Sequence, residues 1–473
     1  MVSAKLIISK IINVLDALQP RVSLVLIIFI TLVSVRASSQ DNSPYSRYGL
    51  GDIVPSTNIN SRGMGGISSG YSDFLTINFN NPASYGSFQT VKEPLAKKML
   101  YGRAILDIGL NFENRTLREP NNTEKFSASN ALFSHVQVGV PLRPNWGLSF
   151  GLRPMTRISY KMNKREQLVD PNTGLLIDSA VTLNEGDGGS YLASVGLGHR
   201  IKLGGSQSLS LGINGGYLFG KQDYSNRRSI FNDSITYTSG NFQSTTSYGN
   251  LYFNGGLQYQ AKLSKDIFLT IGAHGNWKQN LKASQDKIRE TYFFDESTGY
   301  VRLDSVSDQK NVKGTIIYPG SYTAGFVLEK FATAKQAGWL IGVDYVQSKW
   351  SDYRIYGQAD PAVRDKWELR AGAQLKPIPK TNYFSNVTYR AGAFFGPEYI
   401  YINKKLPVFG ATFGLGLPIL NYNRQSPGQA TLINLAFEFI KRGNNNNVLK
   451  ENMFRLSAGF SLSDFWFAKK KYE

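Results

Sequence analysis

From about residue 104 to the end of the chain, apolar and polar residues alternate with a period of two. In AILDIGLNFEN, Leu106, Ile108, Leu110 and Phe112 fall on one face, while Asp107, Gly109, Asn111 and Glu113 fall on the other, as successive side chains of a strand require. The pattern recurs where Trp146, Leu148, Phe150 and Leu152 oppose Gly147, Ser149, Gly151 and Arg153. It is among the clearest in the last strand, where Phe454, Leu456, Ala458, Phe460 and Leu462 alternate with Arg455, Ser457, Gly459, Ser461 and Ser463. About fourteen such strands begin near residues 104, 128, 146, 190, 207, 248, 266, 314, 338, 364, 386, 405, 429 and 451.

Alternation alone also fits a soluble β-sandwich, so the connections carry the distinction. After the second, fourth, sixth and eighth strands come compact links (143–145, 204–207, 263–266, 331–338); after the third, fifth and seventh come long polar ones (162–189, 221–247, 283–313). Short turns on one side and long loops on the other are the signature of an outer-membrane barrel, and this parity puts both chain ends on the periplasmic side. The expected fold class is therefore all-β: a transmembrane antiparallel barrel of about 14 strands spanning 101–468, with a short basic periplasmic tail at 469–473. Trp146, Trp277, Trp339, Trp367 and the terminal Phe465, Trp466 and Phe467 stand near strand ends, as interfacial girdles require.

The first 39 residues read as a cleavable signal peptide. Lys5, Lys10 and Arg21 precede the apolar run from Val22 to Val35, which is short for a spanning helix, and small residues follow. An uncleaved anchor is the competing reading, because the n-region is long and partly apolar. Export implies the bacterial outer membrane as the destination. The formal charge of +19 resides mostly outside this leader, and lipid headgroups are a better counterpart for it than nucleic acid.

Candidate chemistry is sparse. With no cysteine and only His135, His199 and His274, far apart and without metal-ligand spacing, the sequence offers no catalytic site, no metal site and no cofactor site, and an enzyme is not expected. Between the leader and the first strand, residues 40–100 lack alternation and are too few for an enzyme domain, so they are expected to fill the lumen as a hatch. Within them stand Arg62, Gly63, Gly65, Gly66, Tyr71 and Asp73, then Asn81, Pro82 and Ala83. Glycine permits tight passage past the wall, Pro82 sets a turn without an amide donor, and Asn81 can bond backbone through its side chain.

These pieces, SPYSRYGLGD, RGMGGISSGYSD and INFNNPASYGSF, followed by about fourteen strands, resemble the FadL/TodX family of outer-membrane transporters, especially its divergent Bacteroidota branch, and are similar to PorV-type barrels of the type IX secretion system. The resemblance implies a hatch carrying Asn-Pro-Ala, here Asn81, Pro82 and Ala83, and passive uptake of long-chain fatty acids or other hydrophobic small molecules. It also implies a sideways exit at a break in the third strand. Arg153, Pro154 and Met155 are the candidate gate here, since proline cannot donate to a ladder. Lumen-facing Arg153, Arg370, Arg390 and Arg455 could meet a ligand carboxylate or pair with lumenal acids such as Asp107, Glu113, Asp344, Glu368 and Glu438. The alternative function is a non-transporting structural or shuttle subunit of an outer-membrane protein complex, as for PorV-type proteins. A periplasmic or secreted all-β binding protein is a third reading, open only if the barrel fails. Expected partners are outer-membrane lipid, a hydrophobic ligand or complex subunits, and not nucleic acid.

Overall fold

The computed structural model describes residues 43–92, 99–232, 235, 237–295, 297–419 and 430–466. The leader at 1–39, Phe467 and the tail at 469–473 lie outside them. Fourteen antiparallel strands close a barrel: β1 (Met99–Arg118), β2 (Phe126–Arg143), β3 (Trp146–Val169), β4 (Leu176–Gly204), β5 (Gln207–Phe231), β6 (Ser239–Lys262), β7 (Ile267–Asn276 continued by Gln279–Asp295) and β8 (Gly299–Tyr318 continued by Ser321–Lys330). The rest are β9 (Gly338–Ser348), β10 (Lys366–Lys376), β11 (Thr388–Ile402), β12 (Lys404–Ile419), β13 (Ala430–Arg442) and β14 (Lys450–Trp466). Each expected start falls inside one of these strands or within two residues of it. Pairing of β14 with β1, from Lys450–Arg118 to Trp466–Gly102, seals the cylinder. Closure leaves no edge in lipid, where an unpaired amide has no water to turn to.

The outward faces are apolar and the inward faces polar, which inverts a soluble core. Leu211, Ile213, Ile271 and Ile341 are exposed to the surroundings, while Asp107, Asn111, Glu113, Asp344 and Arg455 are buried in the lumen. Trp146, Trp277 and Trp367 lie on the outer surface.

The long polar links expected at 162–189, 221–247 and 283–313 are not loops. β3 and β4 stay paired up to Val169–Leu176, β5 and β6 up to Arg228–Gly240, and β7 and β8 up to Asp295–Gly299. Beyond the bilayer both faces are wet, so the hydrogen-bond ladder continues while the alternation that marks a half-buried strand disappears. The six strands thus rise as a free-standing sheet on one half of the outer rim. Its edge at β8, residues 299–311, pairs only with β7 and carries Arg302, Asp304, Asp308 and Lys310, the kind of charged fringe that discourages edge-to-edge association.

Residues 43–92 run inside the barrel through short pieces: 3-10 turns at Pro44–Arg47 and Pro82–Ser87, one helical turn at Ile59–Arg62, and two-residue and three-residue strands at Asp52–Ile53 and Thr90–Lys92. An aromatic cluster joins them to the outer half of the lumen, where Tyr45 and Leu50 pack with Tyr248, Tyr252, Tyr353 and Tyr399, and Trp350 stacks on Tyr399 at 4.1 Å.

Candidate functional site

The glycine-rich stretch is built around one buried cation. Asn58 caps the turn Ile59–Arg62 by accepting from the Ser61 amide, and the turn aims Arg62, 1% exposed, at the wall. Its guanidinium donates to Asn111 on β1, to Ser134 on β2 (2.7 Å), to Ser457 on β14 (3.3 Å), and to the Thr57 and Pro55 carbonyls. Five donors in a fixed fork suit this; a lysine could not reach all of them. Gly63 then passes the backbone of Gly414, and Gly65, at φ +66°, lies so close to β10 and β11 that a Cβ would sit 2.5 Å from the Ala371 carbonyl oxygen. Gly66 follows at φ +85°, beside Arg370.

Farther along, Tyr71 is buried and donates to Asp73 (3.1 Å), whose other oxygen caps the Leu75 amide. Asn81 caps the next turn by accepting from the Ala83 amide and donates to the Ser69 and Leu257 carbonyls, while Pro82 occupies the first position of that turn. The wall recedes to admit it. At Gly212 on β5, a Cβ would meet the Pro82 carbonyl carbon at 2.2 Å and the Ala83 amide nitrogen at 2.4 Å. Ser68 and Ser69 offer both backbone amides to Asp344 of β9. Hatch residues therefore touch strands all around the cylinder.

The wall has a partial opening between β2 and β3. These two strands pair only from Val136–Leu152 down to Arg143–Trp146. Above that level β2 stays with β1 and β3 with β4, and the β3–β4 register shifts between Pro154 and Thr156, placing a bulge at Met155. The hatch occupies the vacated edge of β3. Asp52 and Ile53 pair with Arg157 and Thr156; the Val54 amide donates to Met155 (3.0 Å) and the Ser43 amide to Ser159 (3.1 Å). Ladder bonds that a neighbouring strand would supply are here supplied by an irregular segment.

A charge cluster pins that segment. Asp52 bridges Arg115 of β1 and Arg442 of β13, each at 2.9 Å, and both arginines also reach Glu451 of β14. Burial alone would raise the Asp52 carboxyl, but the two guanidinium groups outweigh it and hold it below the ordinary aspartate range. A carboxylate lowered by folding contributes its stabilisation above the unfolded value, about 4, and loses it as pH falls through the lower folded value. Amide exchange at residues 51–54, corrected for intrinsic rates, should thus accelerate below about pH 4. An Asp52→Asn chain should already exchange fast at neutral pH; equal protection in both chains across that range would show that the cluster does not hold the segment.

The BamG family model matches residues 21–473. The chain belongs to the BamG family. No curated protein matches it. Among solved structures, this BamG-family chain is similar to a Pseudomonas aeruginosa FadL homologue (15% identity, TM-score 0.47, 89% of this chain and 100% of that one). It is also similar to the Pseudomonas putida toluene transporter TodX (14%, 0.44, 85% and 97%) and to the CymD monoaromatic hydrocarbon channel (12%, 0.45, 87% and 97%). It is an outer-membrane β-barrel.

In this BamG-family barrel, all four lumenal arginines named from the sequence are engaged by the protein. Arg455 meets Glu113 (2.7 Å) and Glu438 (3.2 Å); Arg370 meets Glu368 (2.6 Å) and the Gly66 carbonyl. Arg390 donates to Gln374 and Asn434, while Arg153 holds the Ser56 carbonyl (2.7 Å) and Asn80 (3.0 Å) of the hatch and lies over the Phe79 ring. The histidines stay dispersed: His135 lies buried against Phe79, His274 contacts Ser68, and His199 stacks on Trp146 at 4.0 Å on the outer face. Asp52, Arg115, Arg442 and Glu451 were not singled out from the sequence. Of the four, Arg115, Arg442 and Glu451 stand at inward positions of recognisable strands, so each was legible as lumenal; their meeting with Asp52 was not.

Proposed function

We propose that the protein is a hatch-sealed outer-membrane barrel for passive uptake of hydrophobic small molecules, with sideways exit between β2 and β3 beside Arg153, Pro154 and Met155. The observation that carries this reading is the wall opening above Val136–Leu152 whose β3 edge is held by residues 43–54 rather than by β2. A segment made of short turns can leave an edge more readily than a full strand can. Its departure would connect the lumen to the bilayer, where a hydrophobic solute partitions without crossing a water-filled gap. The FadL homologue and the hydrocarbon channels to which the chain is similar fit this reading.

The test uses the absence of native cysteine. Ile53 and Thr156 are direct Cα partners, the geometry a disulfide needs, so Ile53→Cys with Thr156→Cys should tether the hatch to β3 on oxidation. Uptake of a fluorescent fatty acid by proteoliposomes is expected to fall at least about tenfold in the oxidised pair and to return with reductant, the tether holding the segment by roughly 2–4 kcal/mol. Equal uptake in both redox states would refute sideways exit.

A second reading rests on what the hatch leaves empty. Two lumenal cavities of about 160 Å³ and 140 Å³ flank the hatch, the first lined by Asp52, Arg115, Lys366, Glu368, Arg442 and Arg455, and a third of about 350 Å³ lies between Gly70–Phe74 and the inward residues Ser208, Gln258 and Glu329. The first two are smaller than the roughly 300–1,000 Å³ of ordinary ligand sites, and the first and third are charged where those are apolar. The BamG family name points to an outer-membrane complex, and a closed barrel suits a structural subunit. Native mass spectrometry from mild detergent separates the two readings: stoichiometric protein partners favour the subunit, and a co-purifying fatty acid favours uptake.

A further inference from the structure

The lipid-facing wall is not uniformly studded with large side chains. Across β6, β7 and β8 the outward positions Gly255, Ala273, Gly275 and Ala324 are small, and they pair in two adjacent rows, Gly255–Gly275–Tyr322 and Leu257–Ala273–Ala324. They floor an apolar groove of about 520 Å³, with Trp277 and Tyr322 along its side. Around it the wall carries large exposed residues such as Ile271, Phe326 and Ile341, so the groove is a local depression. Gly255 is not small because the barrel requires it. A Cβ there would meet nothing closer than the Gly212 carbonyl oxygen at 3.8 Å.

The groove faces the outer leaflet, since β7 leaves its periplasmic link at 263–266 and reaches Trp277 where its first segment ends. Directly after Trp277 comes Lys278, and four residues on, at the next outward level above Asn280, comes Lys282. Both are exposed, and neither ammonium group makes a hydrogen bond or ion pair among the described residues. The outward acid beyond them, Asp286, already accepts from the Asn311 amide. Apolar length below, an interfacial indole, and two free cations above are complementary to one class of molecule in that leaflet.

We propose that this groove seats one acyl chain of a phosphorylated lipid A, with a phosphate at Lys278 and Lys282. A depression in hydrocarbon is filled by a chain in any case; the two ammonium groups select the headgroup, since basic residues near a membrane surface attract anionic lipid. The site lies on the outside of the barrel and does not depend on whether the hatch moves.

The experiment takes the full chain, verified by heat-modifiable gel mobility, into native mass spectrometry with an equimolar mixture of lipid A, dephosphorylated lipid A, phosphatidylglycerol and phosphatidylethanolamine. The wild-type chain should retain one lipid A. Gly255→Leu, which fills the floor, and the double variant Lys278→Glu with Lys282→Glu should each lower that retention about tenfold while keeping the folded mobility. Equal retention by either variant would overturn the site. Retention of dephosphorylated lipid A or phosphatidylethanolamine at the wild-type lipid A level would reduce the groove to ordinary annular contact, and phosphatidylglycerol bound as well as lipid A would overturn the choice of lipid.

Discussion

Replacing Arg62 by alanine is expected to free the hatch from the lumen while leaving the fourteen strands closed. The guanidinium is the shared donor for Asn111, Ser134 and Ser457 on three strands and for the hatch carbonyls of Thr57 and Pro55, all of these residues but Pro55 buried. Its removal leaves several acceptors without partners and a cavity where the fork lay, a loss of about 3–5 kcal/mol, which is comparable to breaking a buried ionic contact. Planar-bilayer recordings should show the wild type closed and Arg62→Ala conducting, with heat-modifiable mobility retained in both. Arg62→Lys should resemble the alanine variant more than the wild type, because one ammonium cannot replace a fork that serves five acceptors. A closed, protease-resistant Arg62→Ala barrel would mean that the remaining hatch contacts suffice.

Gly212→Val should act from the other side of the same contact. The wall glycine lets the Pro82–Ala83 peptide lie against β5, and a valine would place carbon within 2.2–2.4 Å of that backbone. Neither element can yield cheaply: β5 is held on both sides of Gly212 by ladders to β4 and, from Ser208 to Arg228, to β6, and the Asn81 cap is fixed by the Ser69 and Leu257 carbonyls. The turn is expected to be expelled at a cost of at least about 3 kcal/mol, overpacking beyond what side-chain rearrangement absorbs. Gly255→Val provides the contrast, since its side chain enters the open outer groove and should leave conductance and mobility unchanged. Limited proteolysis around residues 78–88 would report both outcomes; equal resistance in the two valine variants would contradict the close approach.

The barrel was legible because lipid on one side and a polar lumen on the other impose a strict two-residue rhythm, and all fourteen strands carry it. The upper parts of β3 to β8 were read as loops because water bathes both faces there: Lys161, Asn163 and Arg165 alternate with Met162, Lys164 and Glu166 without any segregation. In the hatch, Asn81, Pro82 and Ala83 announced a turn through local chemistry alone. What that turn rests on, Gly212 of β5, lies 130 residues away and carries no local mark. The lumenal arginines were legible as inward-facing, but whether each meets an acid, as Arg455 does, or an amide, as Arg390 does, depends on register between distant strands.

The locks on the hatch also dictate an order of assembly. Ser43 donates to Glu451, Asp52 needs Arg442, and Arg62 needs Ser457, so the first part of the exported chain waits on the last strands to be made. Only after β13 and β14 have joined β1 does the receptor for the N-terminal segment exist. Until that moment the segment lacks its partners on β13 and β14. The complete seat of the N-terminal segment therefore exists only once the barrel is closed, and a chain cut short before Arg442 would lose its seal along with its closing seam.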